Sequence, residues 1–246
     1  MDVTKQAEVE AAARTLLTSG LPLWAVVNNA GIAVSGFLDW GHDVDDLRRV
    51  FEVNVFGVVR VAKNCLPLLR ETPGSRLINV GSLAGRVAAP NIGHYCMSKH
   101  SVRAFSDALR RELQVLAPRG PRRNSASLHV ITIEPTFYRT NIVDAAIGAR
   151  VRERMWAETA DSVRVSYPEH LLERMRRAQA RVDRFSRTNL SEVIETMVEA
   201  VIRLHPKPFY RCCGLLDHAI WALAAGPEVL VDLALKLRSS VGGSRR

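Results

Sequence analysis

Cysteine is scarce in this chain, and what there is forms no pattern. The four residues, Cys65, Cys96, Cys212 and Cys213, show no C-x-x-C spacing, and the vicinal pair is a poor disulfide candidate. A zinc module and a disulfide-stapled scaffold are thereby excluded, and reduced thiols are expected. Long apolar runs are lacking too. The N-terminus has no leader-like apolar core, and the most apolar stretch, 219–237, is interrupted by Pro227, Glu228 and Asp232. No membrane-spanning helix is expected, although an amphipathic helix lying on a membrane surface suits that stretch. Aromatic residues make up only 6% and none interleaves with a Lys/Arg block. The formal net charge of +9 is spread along the chain, with a mild concentration between residues 139 and 187. Such a surface suits an anionic cofactor or lipid headgroups, and no nucleic-acid partner is expected.

With 246 residues, 47% of them hydrophobic and 24% charged, the chain is long enough to bury a core. No internal repeat or low-complexity segment divides it, so residues 1–246 are read as one domain. Residues 5–18 have an amphipathic helical pattern closed by Gly20. L-W-A-V-V at 23–27 follows, an apolar run of the kind that makes a strand buried on both faces. It ends in Asn28-Asn29-Ala30-Gly31, at the strand end where open α/β sheets place ligands. A helical stripe runs over 43–70, with Asn54 the polar exception inside it. L-I-N-V-G at 77–81 and L-H-V-I-T-I at 128–133 are two further buried strands. Helical patterns follow near 141–157, 169–182 and 189–204, then a short strand within 206–213 and a helix near 227–239. Strands alternating with helices imply a Rossmann-like, doubly wound, mostly parallel sheet of the α/β class.

The stretch 76–116 carries the chemistry. Ser82 ends the second strand, and Tyr95 and Lys99 stand four residues apart on a helical pattern, so they share a face. A short loop between strand and helix lets a hydroxyl, a phenol and an ammonium meet. A free tyrosine titrates near ~10, too high for a base at neutral pH, and a neighbouring cation is expected to lower it. Ser82 is a donor for an oxygen on which charge develops. His94 and His100 flank the motif and are read as structural.

Taken in order, Asn28-Asn29-Ala30-Gly31, N-V-F-G at 54–57, G-S-L-A-G at 81–85, Y-C-M-S-K at 95–99 and Glu134-Pro135 with Thr140 resemble the short-chain dehydrogenase/reductase family. The wording is most similar to the retinol and 17-beta-hydroxysteroid dehydrogenase branch. The resemblance implies hydride transfer between NAD or NADP and a small apolar alcohol or ketone. It makes Ser82, Tyr95, Lys99 and Asn54 the catalytic residues, with Ser82 and Tyr95 touching substrate. It places Asp2, Val3, Asn28, Ala30, Gly31, Tyr95, Lys99, Pro135 and Thr140 around the cofactor. Residues 141–190 correspond to the family's variable substrate region, where Met155, Trp156, Met175 and Phe185 are either pocket lining or ordinary helix packing. Residues 214–246 are read as a helical tail. The resemblance further suggests a helix-mediated homodimer and a cytoplasmic or endoplasmic-reticulum membrane-associated location.

Two features depart from the family. Thr136 stands where the family has glycine after Pro135. Nothing matches the glycine-rich phosphate turn that follows the family's first strand. The match begins at Asp2, near the end of the family's third strand, so the first two strands are expected to be missing. In the family order 3-2-1-4-5-6-7, that leaves the strand at 23–27 with an unpartnered edge. Three readings follow: an incomplete or alternatively spliced form of a dehydrogenase, a catalytically inactive binding or dimerising partner, or an enzyme with a rebuilt cofactor site.

Overall fold

The computed structural model describes residues 1–116, 128–140, 142, 145–212, 214, 221–222, 225–227 and 229–233. Four parallel strands, β1 (Ala25–Asn28), β2 (Arg76–Val80), β3 (His129–Pro135) and β4 (Phe209–Cys212), lie side by side in chain order. The first three start level, Ala25 pairing with Arg76 and Arg76 with His129, while β4 begins three residues further along, with Phe209 opposite Thr132. The runs rich in valine and isoleucine have a core on both sides, which is why they show no polar alternation.

Successive residues feed opposite layers. Leu77 and Val130 pack against Val9 of α1 (Gln6–Thr18), Val61, Ala62, Cys65 and Leu69 of α3 (Gly57–Glu71), and Leu109 of α4 (Gly93–Leu116). Ile78, Ile131, Ile133 and Tyr210 face the other way, onto α8 (Ser191–Ile202) through Val193, Met197, Ala200 and Val201. Helices on both faces make the doubly wound arrangement expected from the pattern. Beside β1, which has no second strand partner among the described residues, runs a groove of about 420 Å³ lined by Met1, Val3, Leu16, Val27 and Asn28.

A third core lies under the variable region. The helices α5 (Ala145–Glu158) and α7 (Leu171–Phe185), with a single turn α6 (Asp161–Arg164) between them, pack on the loop at 32–40. Met155 and Met175 are buried with Val34, Trp40 and Val50. Trp156 lies 4.9 Å from Trp40 between ring centroids. Phe185 is 74% exposed, so the four residues do not line one pocket. At the start of β2, Arg76 is buried without a carboxylate partner among the described residues. Its guanidinium lies 4.0 Å from the Trp24 ring centroid and donates to Arg203 O at 2.7 Å. Trp24 Nε1 donates to Val201 O at 2.9 Å. Together they close two carbonyls at the C-terminus of α8.

The stripe at 43–70 is not one regular helix. It divides into α2 (Asp45–Phe51), a π turn at Glu52–Phe56 and then α3. Of the helix expected near 227–239, residues 229–233 are described and are helical; residues 234–239 and most of the tail 214–246 lie outside the described residues. Among the described residues no helix is long and apolar enough to cross a membrane.

Candidate active site

Where β2 ends, Gly81 N–H donates to Ile133 O at 2.7 Å, so the chain leaves the sheet against β3. Ser82 follows in extended conformation. Its Oγ accepts the Ala84 N–H at 3.1 Å and caps a 3-10 turn over Leu83–Gly85. That turn lies on α4. A Cβ at Gly85 would stand 2.8 Å from Lys99 O, so no other residue permits this approach. The glycine in G-S-L-A-G thereby sets the distance between the serine loop and the helix carrying Tyr95 and Lys99.

Lys99 is 4% exposed. Its Nζ donates to Val80 O at 2.8 Å and lies 5.6 Å from the Tyr95 ring centroid. Strand end and helix face thus converge as the spacing implied. The electrostatics differ from the sequence expectation. Burial raises the Tyr95 phenol to about 12, against an opposing hydrogen bond from Ser82. Burial lowers Lys99 to about 8. Desolvation dominates both shifts, because each group loses water, and the ammonium is turned to the Val80 carbonyl.

Asn54, 1% exposed, lies in the π turn. There Gly57 N–H reaches back five residues to Glu52 O, widening the helix by one residue. Asn54 Oδ1 accepts Ile32 N–H at 2.8 Å, and Nδ2 donates to Ile32 O at 2.8 Å and to Ser98 Oγ at 2.9 Å. Ser98 Oγ in turn donates to Tyr95 O at 2.8 Å. One buried amide therefore ties the loop after β1 to the turn of α4 that bears Tyr95, with its donors and acceptor all engaged. Gly31 crosses the same spot. A Cβ there would lie 3.4 Å from Asn54 Oδ1 and 3.7 Å from Lys99 Nζ.

The remaining predicted residues fall into two groups. Asn28, Ala30 and Val3 line the groove beside β1. The Asn28 side chain is engaged within the sheet, donating to Asn79 Oδ1 at 2.8 Å, and Asn79 donates to Ser106 Oγ at 2.8 Å. Asp2 is exposed and accepts from the Thr4 N–H at 2.9 Å and the Thr4 hydroxyl at 2.8 Å. Pro135 ends β3, and Thr136 N–H donates to Cys212 O at 3.1 Å. Thr140 is exposed, and among the described residues no hydrogen bond joins it to the others.

Three members of this neighbourhood had no role assigned from the sequence, although Glu134 stands in the Glu134-Pro135 motif. Ser98 is one. The others are Arg86 and Glu134, whose side chains form a two-pronged ion pair, Nε to Oε1 at 2.9 Å and Nη2 to Oε2 at 3.0 Å. Their only local signal is a charge on either side of otherwise apolar motifs. A hydroxyl, a phenol and a desolvated ammonium gathered at one strand end form an arrangement that can bind a substrate oxygen and move a proton to or from it.

Comparison with known proteins agrees with that chemistry. The short chain dehydrogenase family model matches residues 1–151. The chain is 34% identical to the Bos taurus dehydrogenase/reductase SDR family member 9, over 96% of this chain and 70% of that protein. It is 32% identical to the Mus musculus retinol dehydrogenase 7, over 96% and 71%. It is 31% identical to the Homo sapiens 17-beta-hydroxysteroid dehydrogenase type 6, over 85% and 63%. Among solved structures, a Burkholderia phymatum short-chain dehydrogenase/reductase in complex with NAD superposes with a TM-score of 0.67 at 23% identity. That superposition covers 95% of this chain and 75% of the other. Fold, ordered motifs and relatives agree: the chain belongs to the short-chain dehydrogenase/reductase family.

Proposed function

We propose that this chain is an NAD(P)-dependent oxidoreductase that interconverts an apolar retinol-like or steroid-like alcohol and its carbonyl compound. The observation that carries this reading is the convergence of Ser82, Tyr95 and Lys99, with the Asn54 amide bridging Ile32 and Ser98 beneath them. The substrate class is supported by the names of the relatives, a retinol dehydrogenase and a 17-beta-hydroxysteroid dehydrogenase. The cofactor class is supported by solved neighbours in complex with NAD and NADP.

The chain's own residues fit a nicotinamide cofactor on one side. Gly31 leaves its backbone bare beside Lys99 Nζ and Asn54 Oδ1, so a sugar can lie where any side chain would project. Lys99 would hold that sugar. Asn28, Ala30, Val3 and Asp2 would flank the adenosine end, and Pro135 and Thr140 the nicotinamide end. When bound, the nicotinamide gives or accepts the hydride.

The protein does the rest. Ser82 donates a hydrogen bond to the substrate oxygen. Tyr95 takes the hydroxyl proton in oxidation and returns it in reduction. A phenol held at about 12 is a weak acid, so phenolate is scarce at neutral pH and forms only when the local charge favours it. Two groups act in that direction, the Ser82 hydrogen bond and the Lys99 ammonium, which is charged below about pH 8. Asn54 and Ser98 hold the Tyr95 turn against the Ile32 loop while this happens.

A thermal-shift titration of the purified chain with NAD and NADP tests the reading. A dose-dependent rise in melting temperature is expected with one of them, followed by reduced-cofactor formation with retinol or a hydroxysteroid. No shift with either nucleotide would overturn it.

A further inference from the structure

The loop that carries Ser82 is fastened to β3 at both ends. On one side Gly81 N–H donates to Ile133 O at 2.7 Å. On the other, one residue beyond the 3-10 turn, Arg86 forms its two-pronged ion pair with Glu134, which directly precedes Pro135. Glu134 is 1% exposed, and the Arg86 side chain is 17% exposed. Aromatic rings lie alongside: the Arg86 Cζ is 5.5 Å from the Phe209 ring centroid and 6.0 Å from that of Trp221. Arg211, in register with Glu134 on β4, lies 4.7 Å from Trp221 and has no ion pair among the described residues. Glu134 is thus neutralised by Arg86.

A buried ion pair recovers little net stability, because desolvating both charges offsets their attraction. What it does supply is direction. Two parallel N–H···O bonds fix the guanidinium and the carboxylate in one plane. Nothing in the proposed chemistry uses either charge, and a pair of apolar residues would fill the same space at lower desolvation cost.

We infer that the Arg86–Glu134 pair is a positioning device, holding the Ser82 hydroxyl at a fixed distance from the turn at Pro135 and Thr136. Resting on the proposed dehydrogenase reading, it aligns the group that binds the substrate oxygen with the turn that would face the nicotinamide. Misplacing a substrate-positioning group by about 1 Å costs about a hundredfold in rate.

The test compares the full chain with Glu134→Gln, which keeps shape and loses charge, and Arg86→Lys, which keeps charge and loses the fork. Two readouts are taken. Hydrogen exchange of the Gly85, Arg86 and Val87 amides, which bond to Ser82 O and Leu83 O, is expected to quicken about tenfold, together with that of Thr136. At saturating cofactor, kcat is expected to fall about tenfold to a hundredfold while substrate KM changes less than about threefold. The reversed pair, Arg86→Glu with Glu134→Arg, is expected to recover much of the loss. Unchanged exchange in the loop, or unchanged kcat despite faster exchange, would overturn the inference. If the wild-type chain shows no turnover, the dehydrogenase reading fails by itself, and hydrogen exchange still decides whether the pair couples the two segments. Should Glu134→Gln not fold, Arg86→Lys carries the same comparison.

Discussion

Lys99 gives the folded chain a pH-dependent stability that a single substitution should abolish. Its amine is held at about 8 by burial, against a reference value of 10.5. That difference of about 2.5 units corresponds to about 3 kcal/mol at ~1.36 kcal/mol per unit. The sign follows from proton counting. Below about pH 8 both folded and unfolded chains carry the charge, and the folded chain bears the full desolvation cost. Between about pH 8 and 10.5 the unfolded chain keeps a proton that the folded chain has released, so stability rises with pH. Tyr95 acts oppositely and higher: its phenol is raised from 10.0 to about 12, so the folded chain keeps a proton that the unfolded chain loses, and stability falls. Cys65 and Cys96, both raised above 9.0 by burial, act in the same sense as Tyr95 and are untouched by a substitution at Lys99, so over about pH 8 to 10 the Lys99 contribution is read as a difference between two proteins. Lys99→Met removes the first effect and leaves the second. Urea unfolding measured at half-unit steps should show the wild type gaining about 2 kcal/mol relative to the variant across that window. Parallel curves for the two proteins would refute the assignment of a desolvated ammonium to Lys99.

Other consequences are as direct. Tyr95→Phe should lower turnover by about 10²- to 10⁴-fold, the usual worth of a general acid–base group, and a rate within threefold of wild type would sink the mechanism. Gly31→Ala places a methyl at ordinary contact distance from Asn54 Oδ1, so melting temperature should hold while the nucleotide-induced thermal shift disappears. An unaltered shift would place the cofactor elsewhere. Asn54→Ala strands Ile32 N–H, Ile32 O and Ser98 Oγ in a buried site and should cost about 2–4 kcal/mol in chemical denaturation. A loss below about 1 kcal/mol would mean that water replaces the amide there.

Reading the sequence located the strands because Val26, Val27, Leu77, Ile78, Val130 and Ile131 form short apolar runs between turn residues. It located Tyr95 and Lys99 because a spacing of four fixes a shared helical face. Three things were not legible. The π turn was hidden, since the apolar stripe over 43–70 fits an unbroken helix equally well and only the Asn54 contacts distinguish the two. The Arg86–Glu134 pair spans 48 residues of sequence, and no local pattern marks such a separation. The protonation of Tyr95 and Lys99 depends on how deeply both are buried. Spacing reports their proximity but not their loss of water, so the expected downward shift of the phenol came out reversed. Phe185 illustrates the same limit: it reads as pocket lining or as helix packing, and at 74% exposed it is neither.

The widened turn at Glu52–Phe56 also says something about insertions and deletions. A π turn holds one more residue than the α-helix it interrupts, while the helices on either side keep their own faces against the sheet. One residue in that segment is therefore dispensable to the scaffold. A codon-sized deletion there would let Asp45–Glu71 run as a plain α-helix, keeping its packing on the sheet while losing the Asn54 bonds and with them about 2–4 kcal/mol. It would swing Asn54 away from Ile32 and Ser98 and silence the site, which turnover assays beside melting curves would reveal. A length-polymorphic relative would be the natural place to find it.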